Sequence, residues 1–185
     1  MPVTRTLVRT TYLEISADKP LRPPSRPRPD YELRQAVAIT PDFARFLYRG
    51  VGYPWNWTRR VNWSYAKWER DLDDARKEYW VAHVTGTVAG YFELVDEGDT
   101  GVEVRQFGIF PSFTGRGLGG HLLCDAVERG RSIGSGRVWL HTCTADHPHA
   151  LANYLARGLQ AYKEEEEHQH VETGAEPWPG AFAAP

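Results

Sequence analysis

The stretch from Val102 to Leu123 constrains the fold of this chain more than any other part of the sequence. A β-rich apolar run, Val102–Phe110, leads through a turn into the glycine-rich run Gly115–Gly120, and an apolar helical pattern starts at Leu118. The first N–H groups of a helix have no partner within it, and the helix dipole adds partial positive charge there. Glycines let the backbone approach a bulky phosphate, and Arg116 adds a cation. The stretch therefore predicts a strand, a loop and a helix that form an anion-binding site.

The glycine run also matches the dinucleotide-binding pattern G-x-G-x-x-G, which is not specific on its own. The preceding strand carries Glu103, Arg105 and Gln106, whereas a parallel strand that is buried on both faces is normally apolar. A Walker loop requires Gly-Lys followed by Ser or Thr, and that sequence is missing here. The pattern therefore does not favour either of these nucleotide sites.

The same run resembles the acyl-CoA loop of the GNAT superfamily (GCN5-related N-acetyltransferases), which has the pattern Gln/Arg-x-x-Gly-x-Gly/Ala. The matching segment is Thr114–Gly119, with Thr114 where the family usually has Gln or Arg. A second segment, Ala150–Leu159, is similar to the family's A-x-x-x-Tyr-x-x-x-Gly-Phe segment. Two motifs in this order are more specific than either alone, so the chain is identified as a member of the superfamily.

The resemblance implies an α/β (α+β) GNAT fold. Its mixed central sheet has about six to seven strands, with about four helices on both faces, and is splayed at the acyl-CoA site. Strands are predicted over Thr6–Ile15, Tyr31–Ile39, Trp80–Val84, Val88–Val95, Val102–Phe110, Arg137–Thr142 and Leu159–Glu165, the last with an optional extension through His168–Val171. Helices are predicted over Asp42–Arg49, Trp63–Ala75, Leu118–Arg131 and Pro148–Ala156. Thr40 is expected to cap the first helix, with Phe43, Phe46 and Leu47 on one face.

Length and composition indicate one soluble globular domain over residues 1–185, with 41% hydrophobic and 25% charged residues. The Pro- and Arg-rich segment 16–30 is predicted to be a loop with solvated basic side chains, and residues 172–185 are predicted to be a surface tail. A net charge of −2 argues against nucleic acid as a partner. No run is long and apolar enough for a signal segment or a membrane span, so we expect a cytoplasmic protein without a membrane partner.

The remaining composition adds two expectations. Cys124 and Cys143 lie in apolar surroundings and are predicted to be buried thiols, not a disulfide. The seven histidines include two H-x-H pairs without Cys or carboxylates at ligand spacing, so no metal site is predicted. The sequence does not determine the oligomeric state, and a homodimer is left open.

The resemblance implies acetyl-CoA as co-substrate, bound beside the central strand. The diphosphate is expected on the glycine loop, while backbone N–H groups near Phe107–Ile109 bind the pantetheine arm and polarise the thioester carbonyl, with a bulge at Gly108. His147 or Asn153 is expected to bind the pantetheine amides. The expected cofactor-binding residues are Phe107, Gly108, Ile109, Thr114, Gly115, Arg116, Gly117, Leu118, Gly119, Gly120, His147 and Asn153.

Acetyl transfer to an amine needs a base for the ammonium and an acid for the leaving thiolate. Glu103 lies fourteen residues before Gly117, as does the base glutamate of histone-type members of the family. The alternative is that Glu103 is an exposed strand residue or an ion-pair partner of Arg105, in which case Glu93 is the second candidate for the base. Tyr154 stands where the family has the tyrosine that protonates the coenzyme A sulfur. Its alternative role is that of a core tyrosine on an apolar helix face.

An aromatic block falls where the family keeps its acceptor-binding helices, with Trp55 and Trp57 in the loop between them. Aromatic walls suit a flat or apolar amine, although most of the block can equally pack the helices onto the sheet. Trp55, Trp57 and Glu93 are the expected substrate-binding residues. The sequence thus predicts an N-acetyltransferase that acts on a small primary amine by direct attack in a ternary complex. The alternatives are a protein-lysine or N-terminal acetyltransferase, or a non-catalytic acyl-CoA sensor.

Overall fold

The fold is a mixed seven-stranded sheet with helices on both faces, seen in a computed structural model that describes residues 3–172. The strand order is β2-β3-β4-β5-β6-β1-β7. The strands are β1 Val3–Ile15, β2 Glu32–Gln35, β3 Lys77–Val84, β4 Thr87–Asp96, β5 Val102–Ile109, β6 Val138–Cys143 and β7 Gln160–Glu172. The helices are α1 Pro41–Gly52, α2 Tyr65–Leu72, α3 Leu118–Ile133 and α4 Ala150–Ala156. The predicted fold class and the order of elements are therefore confirmed.

The two helix layers are separated by the alternation of side chains along the central strands. On β4, Tyr91 packs in a cluster with Leu47 and Val51 of α1. The next residue, Phe92, points to the other face and joins the main core with Leu122 of α3 and Tyr154 of α4. A strand with a period of two can bury both faces in this way. The sheet therefore separates α1 and α2 from α3 and α4.

The sheet is split between β5 and β6. These two strands run parallel and pair only at Val102 with Val138 and at Glu103 with Trp139, whereas all other neighbouring strands are antiparallel. From Val104 to Ile109, β5 has no strand partner on the β6 side among residues 3–172. This opening is the predicted splay. It leaves the backbone N–H and C=O groups on that edge of β5 accessible to a ligand bound in the opening.

The bulge in β5 lies at Arg105, not at Gly108 as predicted. Glu93 pairs with Gln106 and Leu94 pairs with Val104, which leaves Arg105 as the extra residue. Gly108 is required for a different reason, because a Cβ atom there would overlap the Val51 side chain of α1. A strand glycine marks either a bulge or a close approach, and here it marks the approach.

Helix α1 begins as predicted but buries a different face. The Thr40 side chain accepts a hydrogen bond from the Phe43 N–H and caps the helix. The buried residues that recur at helical spacing are Ala44, Leu47, Tyr48 and Val51. Phe46, which was predicted to share a face with Phe43 and Leu47, is 51% exposed, whereas Leu47 is fully buried.

Helix α2 is shorter than predicted at both ends. Ser64 caps it by accepting a hydrogen bond from the Lys67 N–H, and it ends at Leu72. The carboxylate of Asp74 accepts a hydrogen bond from the Arg76 N–H at 3.1 Å. This local side-chain bond favours a turn over further helix.

The segment 16–31, which we call the strap, is held against α3. Arg28 donates both Nη groups to the Asp125 carboxylate at 2.8 Å, and the ring of His121 meets the carbonyl of Arg26 at 3.1 Å. The Arg28 side chain is still 48% exposed, so it is partly solvated as predicted and also forms this ion pair. The contacts are with residues distant in sequence, which local composition does not report.

The remaining strand boundaries follow long-range pairing. Strand β2 covers only Glu32–Gln35 of the predicted Tyr31–Ile39. The predicted extension of β7 is confirmed, because β7 pairs with β1 from Gln160 to Glu172. Residues 173–185 of the predicted tail lie outside the described residues. Within residues 3–172, no helix has the length and apolar character needed to cross a membrane.

Candidate active site

The split between β5 and β6 opens into a cavity of about 1060 Å³. It reaches from the start of α3 to the loop that follows β6. The predicted site residues that line it are Trp55, Trp57, Glu103, Phe107, Gly108, Ile109, Thr114, Gly115, Gly117, Leu118, Gly119, Gly120, His147, Asn153 and Tyr154. Arg116 and Glu93 are the predicted residues that do not line it. The fold thus brings the two sequence motifs and the aromatic loop to one place.

The glycine loop has the backbone that an anion cradle requires. Gly115 and Gly117 have φ angles of 79° and 84°, a region that favours glycine. Gly117 is the N-cap residue of α3 and has no side chain to bond the first N–H groups of the helix. Those N–H groups are therefore available to a ligand, and Gly117 to Gly120 line the cavity.

Arg116 departs from its expected role as a phosphate ligand. Its exposed side chain does not line the cavity, and its guanidinium lies 5.2 Å from the centre of the Phe113 ring. The neighbouring Gly115 and Gly117 line the cavity, whereas the Arg116 side chain points away from it.

Tyr154 lies on α4 opposite β5. Its ring meets that of Phe107 edge-on, with 6.1 Å between the centroids. Burial, together with the nearby charge of Asp146, raises the pKa of the phenol above its usual value of 10.0. The phenol is thus protonated at neutral pH and has a proton to donate.

Glu103 is buried at the point where the split begins, and it is also an ion-pair partner. Its Oε2 accepts a hydrogen bond from Nε of Arg105 at 2.6 Å, and Arg105 also reaches Glu97 at 3.3 Å. The ion pair that we considered as the alternative role is therefore present. Glu103 also lines the cavity, so the same residue takes part in the ion pair and in the wall of the site.

Glu93 lies in a separate buried cluster. It is fully buried, with its Oε2 3.1 Å from Nη1 of Arg60 and its Oε1 3.8 Å from Nζ of Lys77. Burial raises the pKa of the Glu93 carboxyl, against the lowering effect of these two cations. The expectation that Glu93 binds substrate does not agree with this position. Its side chain instead supports Arg60, which does line the cavity.

Asp146, in the loop between β6 and α4, is a site residue that the sequence analysis missed. Its carboxylate accepts hydrogen bonds from Trp57 Nε1 at 3.2 Å, Thr142 Oγ1 at 2.9 Å and the Cys143 N–H at 3.1 Å. It thereby ties the aromatic loop after α1 to the far wall of the split. The available signal was an acidic residue three positions after the end of β6 and next to His147, shortly before the second motif begins.

A second contact joins the same two walls. The ring of His147 meets that of Trp55 with 4.6 Å between centroids. Its Nδ1 accepts a hydrogen bond from the His149 N–H at 3.1 Å. Burial, and then the neighbouring His149, lowers the pKa of His147, so the neutral ring with its proton on Nε2 is favoured.

Trp63 and Trp68 pack the helices, as the alternative interpretation of the block held, whereas Tyr65 is 56% exposed. Trp68 is 1% exposed, and the centroids of the Trp63 and Trp68 rings lie 5.1 Å apart.

Tyr91 donates a hydrogen bond to Oε1 of Gln106 at 2.6 Å, which orients this cavity-lining amide. The sequence analysis did not assign Gln106 a role, because its orientation depends on the partner strand.

The cysteines are free thiols. Burial raises the pKa of Cys124 to about 11 and also raises that of Cys143, which lines the cavity. A raised pKa lowers the fraction of nucleophilic thiolate. Among residues 3–172, no group of three or more His, Cys, Asp or Glu residues is arranged to hold a metal ion.

Comparisons with known proteins agree with this geometry. N-alpha-acetyltransferase RimI of Mycobacterium tuberculosis is 34% identical over 101 residues, which cover 53% of this chain and 61% of that protein. The match thus spans less than two thirds of the relative. Two solved structures share the fold. A GCN5-related N-acetyltransferase from Sphaerobacter thermophilus has a TM-score of 0.63 at 17% identity, over 94% of this chain and 54% of that chain. Another from Kribbella flavida has a TM-score of 0.59 at 14% identity, over 94% and 60%. Residues 41–159 match the model of the acetyltransferase (GNAT) family, and the chain belongs to that family.

Proposed function

We propose that this protein is an acetyl-CoA-dependent N-acetyltransferase that acts on the primary amine of a small molecule by direct attack in a ternary complex. The observation that carries the proposal is the split between β5 and β6. It brings the glycine loop, the edge of β5, Tyr154 and Glu103 into a single cavity.

The chain offers a complementary surface for each part of the co-substrate. Acetyl-CoA would supply the acetyl group as a thioester. Backbone N–H groups from Thr114 to Gly120 would hold the diphosphate, and the unpaired edge of β5 from Phe107 to Ile109 would bind the pantetheine arm. Asn153, whose Nδ2 donates to the Gly119 carbonyl at 3.4 Å, and His147 are the side chains proposed for its amides.

Two side chains would move the protons. An alkyl ammonium has a pKa of about 10, so it must lose a proton before it attacks. Glu103 would accept that proton directly or through water. The phenol of Tyr154, protonated because burial raises its pKa, would donate a hydrogen bond and then a proton to the leaving sulfur. Backbone donors on β5 would stabilise the oxyanion between these two events.

The aromatic loop supports a small acceptor. Trp57 is bonded to Asp146, and Trp55 packs on His147, so the loop bridges the split on the acceptor side. A bridged cleft with aromatic walls suits a compact amine better than a folded protein surface. The second candidate acceptor is a protein N-terminus, which the 34% identity to an enzyme named N-alpha-acetyltransferase favours.

A thiol-release assay with a panel of amines tests the proposal. The panel contains aliphatic and aromatic small amines, peptides with a free N-terminus, and N-blocked peptides with one lysine. We expect turnover with at least one small amine at a kcat/KM at least about tenfold above that of any peptide. A higher kcat/KM for N-terminal peptides would replace the acceptor in the proposal. Tight acetyl-CoA binding without turnover on any amine would indicate a sensor and would contradict catalysis.

A further inference from the structure

The strap contributes to the cavity although it lies outside the family match. The matched region begins at residue 41, whereas Pro24 and Arg26 line the cavity next to the glycine loop. If this protein binds acetyl-CoA as proposed, the strap forms a wall at one end of that site. The following inference rests on that proposed function.

The strap is held firmly enough to act as a wall. Its Arg22 N–H donates to the Arg157 carbonyl at 2.9 Å, just after α4. The Arg26 carbonyl meets the His121 ring, and Arg28 forms the double hydrogen bond with Asp125. These contacts fix the strap to both α3 and α4, so Arg26 starts from a defined position.

Two arginines that line this end of the cavity, Arg26 and Arg157, lack a counter-charge. Arg157 has a buried Nε without a hydrogen-bond partner. Among the residues that the structure describes, no carboxylate lies within ion-pair distance of Arg157 or Arg26. Arg28, in contrast, is neutralised by Asp125. Unpaired arginines that line a cavity favour an anionic ligand, and phosphate is the anion that suits the guanidinium fork.

The guanidinium of Arg157 lies close to Gly120 in the first turn of α3. A Cβ atom on Gly120 would lie 2.5 Å from Nη1 of Arg157 and 2.7 Å from Pro24. The Arg157 guanidinium and the strap therefore both pack against Gly120 of the glycine loop. A side chain at this position would overlap them, so the position requires glycine.

Helix α4 gives the cavity a direction. The loop before α4 carries His147, which contacts Trp55 on the acceptor side, and Arg157 follows its last residue, beside the strap. Tyr154 lies between these ends. A thioester beside Tyr154 and a diphosphate on the glycine loop therefore leave the adenosine end of coenzyme A towards the strap. We propose that Arg26 and Arg157 bind the 3′-phosphate of coenzyme A.

Calorimetric titration with coenzyme A and with dephospho-coenzyme A, which lacks the 3′-phosphate, tests the assignment without turnover. We expect wild-type protein to bind coenzyme A about tenfold or more tightly than the dephospho form. Arg26→Ala and Arg157→Ala should each remove most of this preference while the affinity for dephospho-coenzyme A changes by less than about twofold. Arg22→Ala is the matched control, because it removes the same charge from a strap residue that does not line the cavity. Its preference should equal that of wild type.

Other outcomes overturn the assignment. An equal loss for both ligands in Arg26→Ala would show that the arginine does not distinguish the 3′-phosphate. If wild-type protein binds coenzyme A and dephospho-coenzyme A equally well, neither arginine contributes to binding of the 3′-phosphate. Arg157→Lys, together with thermal unfolding of each variant, separates loss of a contact from loss of the fold. If the wild type binds neither ligand, the proposed function fails, whereas binding without preference leaves that function standing and rejects only this inference.

Discussion

At the scale of single residues, Tyr154 is the side chain whose chemistry can be isolated most cleanly. Tyr154→Phe removes one oxygen and keeps the ring against Phe107. We expect kcat to fall by about 100-fold or more, the usual range for a lost general acid, while the affinity for acetyl-CoA stays within about twofold. Since burial raises the pKa of this phenol above 10.0, its deprotonation should not reduce kcat below about pH 10.

Steady-state kinetics and calorimetry check this prediction. Tyr162→Phe is the matched control, because Tyr162 is 45% exposed on β7 and does not line the cavity. Unchanged turnover in Tyr154→Phe would assign Tyr154 to the core only, which is the alternative that the sequence left open.

A second prediction for a single residue concerns the hydrogen bond between Trp57 and Asp146. Trp57→Phe removes the indole N–H that donates to Oδ1 of Asp146 at 3.2 Å. A hydrogen bond to a charged group contributes about 1.5–3 kcal/mol, so the aromatic loop should hold the acceptor less well. We expect KM for the amine to rise by about threefold to tenfold, with a smaller change in KM for acetyl-CoA.

Trp139→Phe is the control for that variant. Trp139 has a buried Nε1 without a hydrogen-bond partner, so the same substitution there removes no bond. Kinetic titration of both substrates gives the readout. Equal changes in both KM values, or the same effect from Trp139→Phe, would show that the bond does not position the acceptor side.

At the scale of elements, the packing of α1 on β5 determines the wall of the split. A Cβ atom at Gly108 would overlap Val51, so Gly108→Ala should lower the free energy of unfolding by about 1–3 kcal/mol, the usual cost of overpacking. Val51→Ala should relieve part of this loss, which gives a favourable interaction term in a double-mutant cycle. Urea denaturation without ligand provides the measurement.

Gly119→Ala controls for the general effect of glycine replacement. The nearest atom to a Cβ at Gly119 is 3.8 Å away, and the residue lies in the first turn of α3. Alanine there should leave the free energy of unfolding unchanged or raise it by up to about 1 kcal/mol. If Val51→Ala fails to relieve Gly108→Ala, the overlap with α1 is not what requires the glycine.

The elements that the sequence predicted best are those with strong local signals. Thr40 marks the start of α1 by side-chain chemistry that acts within three residues, and its cap is present. The bulge at Arg105 was missed because register is set by the partner strand β4, which local sequence does not encode. The contacts of the strap were missed for the same reason, since Arg28 and Asp125 are 97 residues apart.

At the scale of the whole molecule, the two motifs predicted where the cavity lies, because each fixes a local backbone shape beside the split. The glycine loop and Tyr154 came from motif positions and do line the cavity. Asp146, Arg60 and Arg157 were not found, since their roles depend on side chains from other elements. Glu93 was assigned to the site but does not line the cavity. It lies on β4 next to β5, and its side chain is part of a buried ion-pair cluster with Arg60.

Groups proposed for the two substrates lie towards opposite ends of one cavity. Arg26 and Arg157 line it near the start of α3, whereas Asp146 lines it beside the aromatic loop and Glu103 where the split begins. Arg59, Arg60 and Arg105 also line it, so the direction proposed for the ligand rests on the glycine loop and Tyr154, not on net charge. We therefore propose one axis for the cavity, with the nucleotide at the strap and the acceptor at the aromatic loop.

A crystal structure of the protein with coenzyme A tests this axis most directly. We expect the diphosphate within hydrogen-bond distance of the N–H groups of Gly115 to Gly120, and the sulfur between Phe107 and Tyr154 inside the split. A coenzyme A molecule bound elsewhere, or one that runs in the opposite direction with its sulfur towards the strap, would contradict it.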